Sequence, residues 1–216
     1  MESKIKGSDI LESLNWRYAV KTFDVTKKVS EEDVNTILES GRLAPSSIGL
    51  EPWKFIVVKN EELRGELRKV GYDQTKITDA SHLIVITYRT DAKSLPDELI
   101  ERTVKAQGKT AEELEGLKGM AQGSVEGHSE GDVLKGWLMA QTYIPLGMMI
   151  QTASLLGVDT CPMEGFDADK VNEVLDLKKD NLGVVTMLAL GYRGEDPYSN
   201  LSKTRRDVGD VIEVRE

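Results

Sequence analysis

The chain has 216 residues, of which 30% are charged, and its formal net charge is −9. This length allows a single domain over residues 1–216 with a sizeable core. The acidic balance argues against nucleic acid or an acidic membrane as a partner, because both attract a basic protein. The single cysteine, Cys161, excludes an internal disulfide, and two histidines leave few ligands for a metal cluster. We therefore expect no metal site.

The first residues contain no apolar stretch of the kind that a secretory signal peptide carries, which favours a reducing, cytoplasmic location.

Residues 136–158 carry no charge and are long enough to cross a bilayer, which takes ~20 apolar residues. They include Gln141, Gln151 and Pro145, however, and the rest of the chain is polar. A buried central helix of a globular protein explains this segment better than a membrane span.

Several helix ends can be predicted from capping residues next to amphipathic segments. Ser30 is supported as a cap by Asp33, three residues further on. Gly157 is expected just after the uncharged helix, because glycine adopts left-handed backbone geometry there at low cost. The residues expected to cap helix N-termini are Asp9, Ser30, Asn60 and Asp167.

Three apolar runs predict β-strands, at residues 55–58, 82–88 and 182–190. The last two are continuous, as in strands buried on both faces. A further strand could form at 211–214. Together with the predicted helices, these strands indicate an α+β or three-layer fold. No G-x-G-x-x-G motif follows any strand, which argues against a dinucleotide-binding Rossmann unit.

Residues 89–135 show the weakest pattern. Helices are expected at 96–107 and 110–117, followed by recurring glycines, so a helical excursion or mobile lid is predicted near 92–131. Gly108-Lys109-Thr110 imitates the end of a phosphate-binding P-loop, but Thr103 occupies the position of the first glycine and no strand precedes it. We therefore reject a nucleotide triphosphatase. The chain ends in a tail, residues 195–216, which is basic at 201–206.

Two segments suggest binding of a polar or anionic ligand. Pro45 should end a helix, and Ser46 and Ser47 then follow in a tight connection whose backbone N–H groups either bind a ligand or satisfy the turn itself. Arg17 and Lys21 share one face whether the backbone is helical or extended. These two cations form either a solvated surface or an anion site.

These pieces together resemble the FMN-dependent nitroreductase family, in the branch of the oxygen-insensitive NAD(P)H nitroreductases and flavin reductases. The resemblance covers nearly the whole chain in family order and spacing. It rests on the segments Arg17–Asp24, Ala44–Ser47 with Pro52-Trp53, Lys76 ahead of Asp79–His82, Pro162–Asp167 and Lys203–Arg205.

The resemblance implies a nitroreductase-like α+β fold with a central mixed sheet flanked by helices, dimerising through its long helices. FMN would lie at the subunit interface of this homodimer. Arg17, Lys203 and Arg205 would hold the phosphate, and Lys21 and Lys76 would lie near N1 and the C2 carbonyl of the ring. Backbone around Glu164 and Gly165 would reach N5 and O4, and Pro45, Ser46 and Ser47 would approach from the partner subunit. The remaining expected cofactor-binding residues are Tyr18, Ala19, Gly49, Asp73, Pro162 and Met163.

This sequence departs from the family pattern at four positions. Gly49 and Glu51 stand where the family commonly has asparagine and glutamine, Ala19 where it often has serine, and Asp73 where asparagine is frequent. These departures fall on the expected ring contacts.

The implied function is hydride transfer from NAD(P)H through bound FMN to nitroaromatics, quinones or flavins, in a ping-pong reaction. Other flavin reactions of the family remain open, namely dehalogenation, ene reduction and flavin destruction, as does a non-enzymatic flavin- or anion-binding module. The cofactor performs the chemistry, so we name no catalytic acid, base or nucleophile. A lone buried cysteine such as Cys161 is usually inert.

Overall fold

The computed structural model describes residues 5–128 and 131–216. Its four strands are β1 (Trp53–Val57), β2 (His82–Arg89), β3 (Asp159–Met163) and β4 (Leu182–Gly191). The helices of the first half are α1 (Gly7–Trp16), α2 (Glu31–Arg42), α3 (Glu61–Val70), α4 (Lys76–Asp79) and α5 (Leu95–Gln107). Those of the second half are α6 (Glu115–Gly127), α7 (Asp132–Leu155), α8 (Ala168–Val174) and α9 (Val208–Val211).

The strands form one sheet in the order β1-β2-β4-β3, and each neighbouring pair is antiparallel. The two central strands are the continuous apolar runs predicted from the sequence, and all ten residues of β4 are buried. The sheet differs in one respect from the mixed sheet that the resemblance implies. Among the described residues, the parallel pairing is confined to an isolated bridge between Ala19 and Thr160.

Helices cover both faces of this sheet, which confirms the three-layer arrangement. Leu83 and Val85 of β2 pack into a cluster with residues of α3, α4 and α8. Ile84 and Ile86 point to the opposite face, where they pack against α2 and α7. Because side chains alternate along a strand, a sheet covered on both faces needs strands that are apolar at every position.

The uncharged segment forms most of α7, and the helix packs on α2 at Gly41. A Cβ atom at Gly41 would overlap the Met149 side chain, which is fully buried. Gly157 follows the end of α7 with a φ of +70°, as predicted for a glycine after a helix C-terminus. Within the described residues, no helix is long and apolar enough to cross a membrane.

Three of the four predicted N-caps are confirmed. The side chains of Ser30, Asn60 and Asp167 each accept a hydrogen bond from a backbone N–H in the first turn of their helix, at 3.0, 2.8 and 3.2 Å. The prediction for Asp9 is wrong, because α1 begins at Gly7. Asp9 lies inside the first turn and accepts from the backbone N–H of Lys6 at 3.1 Å. An acidic residue in a first turn gives the same sequence signal as a cap.

The segment near 92–131 is helical over most of the residues that the structure describes. The glycine-rich stretch forms α6, which packs on α5 around a small apolar cluster containing Leu95, Ala121 and Leu138.

The prediction of a strand at 211–214 is wrong. Residues up to Val211 form the short helix α9, and Val214 is 80% exposed with no strand beside it.

Arg64 fixes the short helix α4, which begins at Lys76. Its guanidinium is buried and donates hydrogen bonds to the carbonyl oxygens of Ile77 and Ala80, at 2.7 and 2.6 Å. These carbonyls lie at the C-terminal end of α4, where the helix supplies no partners of its own.

We predict that Arg64→Met lowers the free energy of unfolding by about 3 kcal/mol, because two buried carbonyls lose charged donors. Arg42→Met serves as the control, since Arg42 forms an exposed ion pair with Glu39 and should matter far less. Urea titrations of both variants measure the difference. Equal midpoints for the two variants would contradict this role of Arg64.

Candidate functional site

The segment that carries Arg17 is extended and lies along β3. Helix α1 ends at Trp16, and Arg17 then adopts φ −72° and ψ 142°. The Val20 N–H donates to the Thr160 carbonyl at 3.1 Å, beside the bridge between Ala19 and Thr160. The predicted Arg17–Lys21 segment is therefore held next to the strand that leads into the Pro162–Gly165 passage.

Three cations form a cluster at this edge: Arg17, Lys203 and Arg205. Burial lowers the pKa of Arg17, and the charge of Arg205 lowers it further. Burial also lowers the pKa of Lys203, and then the charges of Arg17, Arg205 and Arg193 do the same. Like charges at close range repel, so this cluster is unfavourable without an anion.

Arg17 has an unused hydrogen-bond donor inside the cluster. Its Nε atom is buried and has no hydrogen-bond partner among the described residues. Lys203 is held in place by the carbonyl oxygens of Asn15 and Arg17, to which its Nζ donates. A buried donor without an acceptor is costly, and most such groups in proteins are satisfied by a ligand, water or another residue.

Lys21 and Lys76 both lie near Cys161 of β3. Burial raises the pKa of the Cys161 thiol, and the positive charges of Lys76, Lys21 and Arg17 oppose that rise. The backbone N–H of Lys21 donates to Asp196 at 2.6 Å, which fixes the segment that carries this lysine. The structure therefore brings together the cations that the sequence places far apart.

The loop before Lys76 contacts the turn after β3. Gln74 Nε2 donates to the carbonyl oxygens of Gly165 and Gly71, at 2.6 and 3.0 Å. The Asp73 carboxylate accepts from Arg68 at 2.6 Å, so its side chain is occupied at the protein surface. Gln74 thus fixes the Lys76 loop relative to the turn.

The turn itself follows Pro162 and Met163, which belong to β3. Thr186 of β4 donates to the Met163 carbonyl at 2.9 Å. The Glu164 carboxylate accepts a hydrogen bond from the Tyr143 hydroxyl at 2.6 Å. Burial raises the pKa of Tyr143 to about 12, and the hydrogen bond to Glu164 is the second cause of that rise.

Tyr18 stands beside the cationic cluster. Its hydroxyl is buried and faces the Asp196 carboxylate. Burial, followed by the charge of Asp196, raises its pKa to about 12. The phenol therefore stays neutral at physiological pH.

The Pro45–Gly49 loop connects α2 to β1. Ile48 has a φ of +56°, which is a strained conformation for a β-branched residue, and Gly49 has a φ of +78°. Contacts from two helices hold the loop: Ser47 N–H donates to Gln141 Oε1 at 2.8 Å, and Arg102 donates to the Gly49 carbonyl at 3.0 Å. In the described part of the chain, no hydrogen bond or ion pair joins this loop to Arg17, Lys21 or Lys76.

Comparison with known proteins identifies the fold and the family. The sequence model described as "Nitroreductase family" matches residues 14–192. A Staphylococcus aureus (strain bovine RF122 / ET3-1) protein with the name "Putative NAD(P)H nitroreductase" is 42% identical over 212 residues, covering 94% of each chain. The chain belongs to the nitroreductase family.

Solved structures agree with this nitroreductase assignment at the level of the fold. A Bacillus subtilis crystal structure matches with a TM-score of 0.86 at 22% identity, covering 97% of this chain and 100% of that one. An Exiguobacterium sibiricum protein solved in complex with FMN matches with a TM-score of 0.81 at 22% identity, covering 99% of each chain. The predicted family and fold class are therefore confirmed.

Several residues that shape this nitroreductase site were missed by the sequence analysis. Each acts through a hydrogen bond or ring contact to a segment distant in sequence, and none stands in a motif. Gln141 was noted only as a polar residue of the uncharged helix, and in the structure it holds the Ser47 loop. The missed residues are Gln74, Arg102, Tyr143, Arg193 and Asp196.

We predict that Tyr143→Phe removes one phenol that titrates near pH 12 in an ultraviolet titration. The folded state binds this proton more tightly than the unfolded state, whose tyrosines titrate near ~10. Stability should therefore fall as the pH rises from ~10 to 12, and it should fall less in Tyr143→Phe. Loss of a phenol with an ordinary pKa would contradict both the burial of this hydroxyl and its contact with Glu164.

Proposed function

We propose that this nitroreductase is a homodimeric, FMN-dependent oxidoreductase that takes hydride from NAD(P)H. The observation that carries the proposal is the cluster of Arg17, Lys203 and Arg205 with its buried, unpartnered Arg17 Nε. The FMN complex of the structural neighbour and the name of the Staphylococcus aureus relative support the same cofactor and donor.

The cluster fits the phosphate of FMN in charge and in hydrogen bonding. A phosphate monoester carries about −1.5 to −2 charges at neutral pH and offers three acceptor oxygens. It would accept from Arg17 Nε and relieve the repulsion that lowers the pKa of both Arg17 and Lys203. Because the net charge of the chain is −9, such a local concentration of cations sets this edge of the sheet apart from the rest of the protein.

Other residues would hold the ring. Lys21 and Lys76 would put positive charge beside its N1 and C2 carbonyl, where acceptance of electrons leaves negative charge. Gln74 fixes the Gly165 turn, whose backbone would face N5 and O4. Tyr18, Ala19, Asp73, Pro162, Met163 and Glu164 complete the proposed surroundings of the cofactor.

When bound, FMN supplies the ring that takes two electrons and one proton from NAD(P)H as hydride and passes the electrons to a second substrate. The acceptor, a nitroaromatic, quinone or flavin, gains the two electrons, and its additional proton comes from solvent. The protein binds and orients these molecules in turn. Glu164 is already bonded to Tyr143, and the Cys161 thiol has a raised pKa, so neither is assigned a proton-transfer or nucleophilic role.

The partner subunit would complete each site with its Pro45, Ser46, Ser47 and Gly49 loop. This explains why the loop is held in a strained conformation by Gln141 and Arg102, away from the cationic cluster of its own chain. Large apolar side chains exposed on α1 and α7 support a subunit interface there. They include Ile10, Leu11, Leu14, Tyr143, Ile144 and Leu155.

The proposal predicts that protein reconstituted with FMN bleaches anaerobically when NADH or NADPH is added. Addition of one equivalent of a quinone per flavin should restore the yellow colour, because two electrons leave the site. A nitroaromatic, an enone and a halogenated phenol, added in parallel, separate the possible acceptors.

Two outcomes would contradict the proposal. If flavin binds but stays oxidised with saturating nicotinamide, the chain is a flavin-binding module. If no flavin binds at micromolar concentration, the cationic cluster serves another anion. The controls are free FMN with the same donors and the protein without FMN.

A further inference from the structure

Arg193 makes an unusually complete set of contacts just after β4. Its Nε and Nη2 atoms donate to the Asp159 carboxylate at 2.9 and 2.5 Å, and its backbone N–H donates to the same side chain at 2.8 Å. Asp159 is only 3% exposed. A bidentate pair with a buried carboxylate fixes both the position and the plane of a guanidinium.

The same guanidinium lies against two aromatic rings. Its central carbon is 4.4 Å from the centroid of the Trp16 ring and 4.7 Å from that of Tyr18. These distances are within the range of cation–π contacts. Arg193 therefore holds both sequence neighbours of Arg17.

The backbone geometry between these rings determines where Arg17 points. Arg17 is extended, and successive side chains of an extended segment leave the backbone on opposite sides. With Tyr18 held on the side of Arg193, Arg17 projects away from it, where its Nε is buried without a partner. The guanidinium of Arg193 is paired with Asp159, and its charge also contributes to the lowered pKa of Lys203 in the cluster.

We propose that Arg193 is a positioning residue for the cofactor phosphate: it clamps Trp16 and Tyr18 and thereby aims Arg17 at the phosphate. The inference rests on the proposed function, because the phosphate is that of FMN. A clamp of this kind pays the cost of ordering the long Arg17 side chain before the ligand arrives.

The test compares the affinity of the apoprotein for FMN with its affinity for riboflavin, which lacks the phosphate. The ratio of the two dissociation constants isolates the phosphate contacts from the ring contacts. Arg17→Met should lower the preference for FMN by roughly 10- to 100-fold, the range of a charged hydrogen bond. Arg193→Met should lower it by roughly fivefold while the Kd of riboflavin stays unchanged, as expected for a residue coupled to Arg17.

Two further variants separate positioning from general loss of structure. In Arg17→Met/Arg193→Met, the preference should fall no further than in Arg17→Met, because Arg193 acts through Arg17. Arg193→Lys keeps a charge for Asp159 but loses the planar group that covers two rings, so an intermediate preference is expected. Arg215→Met is the control, since Arg215 forms an exposed ion pair with Glu213 and should leave both affinities unchanged.

The inference is overturned if Arg193→Met weakens FMN and riboflavin equally, if the preference is unaffected, or if the effects of the two substitutions multiply in the double variant. Should Arg193→Met not fold, Arg193→Lys decides: an unchanged preference contradicts the clamp. A wild-type protein that binds riboflavin as tightly as FMN has no phosphate site. In that case the proposed function fails first and the clamp fails with it.

Discussion

The repulsion among Arg17, Lys203 and Arg205, at an edge where Arg17 has a buried donor without an acceptor, is the constraint on which the site depends. Bringing like charges together and removing a guanidinium from water both cost free energy. An anion that binds there offsets this cost, because it relieves the repulsion and accepts from the buried donor. The cofactor would therefore contribute to stability as well as to chemistry.

The antiparallel sheet supplies the framework of the site. Strands β2 and β4 are buried on both faces, and the edge strand β3, where the functional segments meet, adds the buried residues Cys161 and Met163 to the core. At that edge, the Arg17–Val20 segment bonds to Thr160, and the turn after Met163 is tied to Gln74. A site that distant segments form at the edge of an apolar sheet suits chemistry that belongs to a bound cofactor.

Local signals in the sequence were enough for much of the fold. Continuous apolar runs gave the two central strands, and Ser30, Asn60 and Asp167 gave helix starts, because caps and periodicity act over a few residues. The predictions for Asp9 and for residues 211–214 were wrong because each local pattern fits two structures, and tertiary contacts decide between them. The cations of the site were found through family motifs, whereas Gln74 and Arg193 act through contacts that no local pattern encodes.

The most direct test of the cationic cluster is the phosphorus NMR signal of FMN bound to the protein, followed as the pH is lowered. The second pKa of a free phosphate monoester is ~6, and three nearby cations should lower it. The cluster therefore predicts a bound signal that stays constant from pH ~8 to ~5.5. In Arg205→Ala the signal should begin to change at a higher pH, because one cation is lost. In Arg206→Ala it should behave as in the unsubstituted protein. A bound phosphate that titrates at ~6 or above in the unsubstituted protein would contradict the proposed site.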